Sequence, residues 1–156
     1  MKQLLFFVCL SFLVEGQIPE GKKVISALYV YDLTTSESSL IVKEKRHFEA
    51  PNWSRDGKFL LINCLGHLEK IDLNGKILGV LNTGEIQKSN NDHGYSFDGQ
   101  TLFISSGKKE IETHTSFIYK VTATGGDPIQ ITPKTPSYWH GVSPDGKDIV
   151  YCAERK

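Results

Sequence analysis

The sequence predicts an all-β fold, a partial β-propeller of four-stranded antiparallel blades. Three observations carry this expectation. Ser54-Arg55-Asp56-Gly57, Ser96-Phe97-Asp98-Gly99 and Ser143-Pro144-Asp145-Gly146 repeat one turn signature, with successive Asp-Gly pairs 42 and then 47 residues apart. That period suits a propeller blade of four strands. Each turn is followed by a short apolar run: Leu60-Leu61-Ile62, Leu102-Phe103-Ile104 and Ile149-Val150-Tyr151. Such runs are long enough for strands and too short for helices, and their lack of alternation predicts burial on both faces.

The turn itself has a mechanical reading. Ser and Asp favour a type I geometry, and Gly supplies the positive φ that follows it. A turn of this kind with a Gly bulge joins two antiparallel strands. Asp56, Gly57, Asp98, Gly99, Asp145 and Gly146 are therefore read as structural turn residues. The Asp-x-Asp spacing of a calcium loop is absent.

Taken in order, the chain opens with a basic head, Met1-Lys2-Gln3, and an apolar run from Leu4 to Val14 interrupted only by Ser11. This predicts a secretory signal over residues 1–16, cut after Gly16, and hence a periplasmic or secreted address for residues 17–156. The run is too short for a retained membrane span. Leu28 to Leu33 and Ser39 to Val42 resemble the last two strands of a blade without its first two. Residues 50–81 and 92–133 each read as a whole blade. Leu68 to Leu73 and Phe117 to Val121 are half-exposed third strands. Asn74-Gly75 and Gly125-Gly126-Asp127 are the turns after them. Outer strands then run through Lys76 to Leu81 and Pro128 to Thr132, where an edge position tolerates Pro128. Residues 138–156 supply only the first two strands of a further unit. Repeat units thus start near residues 50, 92 and 138.

If the two half-units combined, the total would be three blades, whereas propellers use about four to eight. The expectation is a truncated form of a longer propeller. The alternative is self-association, a two-fold dimer bringing six blades. Cys64 and Cys152 stand at different repeat offsets, which predicts two buried thiols rather than a disulfide.

Ser143-Pro144-Asp145-Gly146-Lys147, the Ile118-Tyr119 pair and the run Gly125-Gly126-Asp127-Pro128-Ile129-Gln130-Ile131-Thr132 resemble the blade repeat of TolB-like propellers. The resemblance covers nearly all of residues 17–156 and implies the fold. It leaves function open, because the same blade occurs in periplasmic binding proteins, peptidase propeller domains and sugar lyases. TolB itself is a component of the Tol-Pal envelope system, a role that similarity of blades does not carry over.

Charge narrows the partners. Eighteen basic residues balance eighteen acidic ones, which gives no electrostatic reason to expect nucleic acid or an anionic membrane surface. His93 and His140 share one repeat position at the start of an innermost strand, where the blade type places side chains near a central channel. Two imidazoles there could converge on a divalent metal or an anionic ligand, with Asp92 as the nearest third donor. Oligogalacturonate lyases resemble this blade type and hold a metal with channel histidines, although the match here does not extend to a full ligand set. Tyr138-Trp139-His140 adds aromatic surface suited to a sugar or peptide, or else part of a packed layer that includes Trp53. A Gly-x-Ser-x-Gly elbow is absent and the carboxylates show no acid–base pairing. Lys43-Glu44-Lys45-Arg46 reads as a solvated loop. The functional expectation is a non-catalytic scaffold without a cofactor, binding a protein or small ligand on the channel face through His93, His140, Tyr138 and Trp139. The alternatives are a degenerate metal-dependent carbohydrate lyase, with His93 and His140 as metal ligands, and a remnant of a longer propeller.

Overall fold

A computed structural model of the chain describes residues 23–108 and 115–155. The signal segment expected over residues 1–16 lies outside the described residues. Twelve strands occur among them: β1 (Ser26–Asp32), β2 (Glu37–Glu44), β3 (Glu49–Trp53), β4 (Phe59–Cys64), β5 (His67–Asp72) and β6 (Ile77–Val80), followed by β7 (Ser89–Tyr95), β8 (Thr101–Ser106), β9 (Phe117–Thr122), β10 (Ile129–Gln130), β11 (Ser137–Val142) and β12 (Ile149–Ala153). They form two four-stranded meanders, β3-β4-β5-β6 and β7-β8-β9-β10, and two hairpins, β1-β2 and β11-β12. All pairings are antiparallel. The fold is thus the expected all-β arrangement of four-stranded blades, with half-blades on either side.

The three turn motifs have one geometry. Gly57, Gly99 and Gly146 adopt φ of 70°, 71° and 73°. Each donates its amide to the carbonyl of the turn serine at 2.9–3.0 Å. The serine hydroxyls of Ser54, Ser96 and Ser143 donate to Asp56, Asp98 and Asp145 at 2.8, 2.5 and 2.7 Å. The same aspartates accept the amides of Lys58, Gln100 and Lys147. These bonds, the serine's foremost, hold all three carboxyls below their ordinary range.

Apolar faces of successive units bury one another. Leu28 of β1 packs with Leu60, Ile62 and Ile71 of the first meander. Leu61 and Leu68, on the other face of that meander, pack with Tyr95, Leu102 and Ile104 of the second. Phe103 and Ile118 then meet Trp139 of β11. The continuous apolar runs in β4 and β8 follow from this sandwiching, since both faces of each strand are covered. The third copy departs from the expectation: β12 is exposed along most of its length, because no blade covers its far face among the described residues. Cys152 is exposed for the same reason, while Cys64 is buried; both thiols are free.

Candidate functional site

The first strands of successive units, β3, β7 and β11, pack side by side, which makes them the inner wall of the row. Three of the four side chains singled out from the sequence lie on β11 and one on β7. The repeat position shared by His93 and His140 does not give them one environment. His93 pairs with Ile104 within the β7–β8 ladder. In β11 the register shifts between Trp139 and Gly141, leaving His140 out of the pairing and setting Trp139 opposite Tyr151. The bulge therefore places Trp139 where His93 would stand and turns His140 out.

His93 is 2% exposed, and neither ring nitrogen has a hydrogen-bond partner of good geometry among the described residues. Burial holds its pKa below the ordinary value; the nearby backbone of Leu61 and Asn90 opposes that shift without cancelling it. His140 is exposed. Asp92 is part-buried; burial raises its pKa, and the charge of His140 pulls it back. The two side chains are thus electrostatic neighbours across the β7–β11 junction.

Trp139 is buried against β7 and β8. Its ring stacks on Phe103 with centroids 5.8 Å apart and planes 6° from parallel. Its amide receives support from the Ser105 hydroxyl, which accepts it at 2.8 Å. The ring edge lies over Gly94, where a Cβ would stand 2.5 Å from Cη2 and 2.7 Å from Cζ3. Tyr138, beside it, is half-buried. Trp139 thus belongs to the packed layer between units, while Trp53 is largely exposed.

Among the described residues no three His, Cys, Asp or Glu side chains gather into a metal-binding group. One accessible imidazole beside one carboxylate does not fit a resident zinc-like ion, which takes three or four protein ligands. A cleft of about 220 Å³ is lined by Glu85, Lys108, Tyr119 and Gln130 among others, none of them on an inner strand.

One ionic group was hidden in the sequence. Arg46, within the run read as a solvated loop, is part-buried. It donates to Glu69 of β5 at 2.7 Å and to the Cys64 thiol at 3.0 Å, and also pairs with Glu44. Those carboxylates outweigh its burial and raise its pKa above the ordinary arginine range. The group ties β2 to the first meander. Alternating charges in a short segment carry no sign of a partner twenty-three residues away.

Comparison with known proteins supports the fold reading. No family model matches the chain. A relative from Agrobacterium fabrum, described only as an uncharacterized protein, is 40% identical over 136 residues, covering 86% of this chain and 45% of its own. A structure provisionally named TolB from Agrobacterium tumefaciens superposes with a TM-score of 0.76 at 40% identity, over 86% of this chain and 48% of that one. TolB from Acinetobacter baumannii superposes with a TM-score of 0.63 at 24% identity, over 80% of this chain and 31% of that one; this likeness concerns the fold alone. The chain spans about half the length of the relatives it matches first. With the blade order, the turn motif and these likenesses agreeing, the chain has the fold of part of a TolB-like β-propeller.

Proposed function

We propose that the protein is a non-catalytic, exported propeller scaffold that binds a protein or small ligand on the inner wall formed by β3, β7 and β11. The observation that carries this reading is the placing of part-buried Asp92 on β7 and exposed His140 on the neighbouring strand β11, with Tyr138 on the same strand as His140. There an exposed imidazole, a part-buried carboxylate and a phenol offer donors, acceptors and an aromatic surface for recognition. His93 and Trp139 support the wall from behind. Export is supported by the basic head and apolar run of residues 1–16. No helix among the described residues is long and apolar enough to cross a membrane.

The test is an NMR titration of the purified protein with short oligosaccharides and peptides, alongside measurement of its metal content. The expected result is that shifts cluster on Asp92, Tyr138 and His140 and vanish in His140→Ala, with no stoichiometric metal. A tightly held divalent ion lost in both His93→Ala and His140→Ala would instead favour the metal-dependent lyase reading. Shifts confined to the cleft beside Lys108 would overturn the assignment of the face.

A further inference from the structure

The three strands of the inner wall lose their ladder at one height. The register shifts between Glu49 and Asn52 in β3, between Ser89 and His93 in β7, and between Trp139 and Gly141 in β11. Counted back from the turn serines Ser54, Ser96 and Ser143, the displaced residues stand three to six positions upstream. An irregularity of this kind frees residues from the ladder and re-aims their side chains. In β7 it frees Asp92. The side-chain carbonyl of Asn90 turns the strand by accepting the Asp92 amide at 2.9 Å, and the pairing resumes at His93.

Charge along this wall is one-sided. None of the residues of β3, β7 and β11 is Lys or Arg, although the chain carries eighteen such residues. The carboxylates on these strands are Glu49 and Asp92. Glu49 lies 3.4 Å from His47 Nε2. Among the described residues no hydrogen bond or ion pair reaches the Asp92 carboxylate, and the charge it senses is that of His140. The ladder partners of the wall, β4, β8 and β12, carry no Asp, Glu, Lys, Arg or His. Burial raises the pKa of Asp92 more than His140 lowers it, as befits a carboxylate that has lost water and gained no fixed cation. A positive group brought by a ligand would supply that cation through a charge-assisted hydrogen bond.

We infer that the inner wall takes a cationic group, an ammonium or guanidinium, on Asp92, with the exposed His140 ring on the next strand as a second polar contact. This rests on the binding role proposed for the wall and specifies its ligand. It reverses the anionic ligand that two converging imidazoles suggest from the sequence. His93 is sealed behind the wall, so the two rings do not converge, and Asp92 repels an anion. A single carboxylate suffices for an ammonium or guanidinium, whereas a calcium ion takes about six to eight oxygens.

The test is an NMR titration of the purified protein with matched probes. Nα-acetyl-lysinamide and Nα-acetyl-argininamide are set against Nα-acetyl-glutaminamide, and glucosamine against N-acetylglucosamine. The expected result is that the cationic probes shift the Asp92 and His140 resonances and bind at least tenfold more tightly than their uncharged counterparts. That preference should disappear in Asp92→Asn. The set with the larger preference names the source of the cation, a basic side chain or an amino sugar. Asp92→Glu keeps the charge and should keep the preference, which holds the test open if Asp92→Asn misfolds. Equal binding of charged and uncharged probes at these residues would overturn the inference and leave the binding role of the wall standing. A preference that survives in folded Asp92→Asn would overturn it as well. Shifts away from β7 and β11, or none, would also overturn it, and the titration with oligosaccharides and peptides then decides separately whether the wall binds at all.

Discussion

The behaviour of His93 follows from its seat. Its folded pKa lies below the ordinary value of 6.5 because burial disfavours the charged ring. The unfolded chain then binds more protons than the folded one, so stability is complete above pH 6.5 and falls as pH drops below it. Thermal unfolding of the wild-type protein and His93→Leu across this range should show the slope flattened in the variant. The turn carboxylates act in a separate window. Their depressed pKa values contribute stability above 3.8 that disappears only as pH falls lower. At Gly94 the limit is space. Gly94→Ala would press a methyl group into the Trp139 ring and should cost about 1–3 kcal/mol, the usual range for overpacking, read by urea unfolding. The turn residues were legible in the sequence because their chemistry is local. The different fates of His93 and His140 were not: a one-residue bulge in β11 decides them, and nothing in His140-Gly141 announces it.

Hairpin β11-β12 depends on its neighbour more than on itself. Its apolar anchorage is the stack of Trp139 on Phe103, with Ile118 beside it. Phe103→Ala removes a buried aromatic and should cost about 3–5 kcal/mol. Hydrogen exchange would localise the loss, with β11 and β12 opening before β4 and β5. At the other side of the row Arg46 links β2 to β5 through Glu69. Because the pair is only part-buried, Arg46→Ala should cost about 1–2 kcal/mol, between the values for exposed ion pairs and for charged hydrogen bonds. The strand pattern of the two whole blades could be read from their apolar runs and turn signals. Burial on both faces held for Leu60-Leu61-Ile62 and Leu102-Phe103-Ile104 and failed for Ile149-Val150-Tyr151, since the sequence of a strand records the cover it is suited to and cannot say whether that cover is there.

A row of blades is stabilised by the sum of its nearest-neighbour interfaces. The interface between the two whole blades is the widest apolar cluster and lies in the middle of the row. Leu61 is central to it, and Val150 occupies the same repeat position at the open face. Chemically similar truncations at these two places should therefore diverge. Leu61→Ala should cost about 2–5 kcal/mol, a large share of the ~5–15 kcal/mol that a domain commonly holds, and should lower the midpoint of the whole transition. Val150→Ala, at an exposed position, should stay within about 0.5 kcal/mol, as exposed substitutions do. Chemical denaturation of the two variants measures both costs.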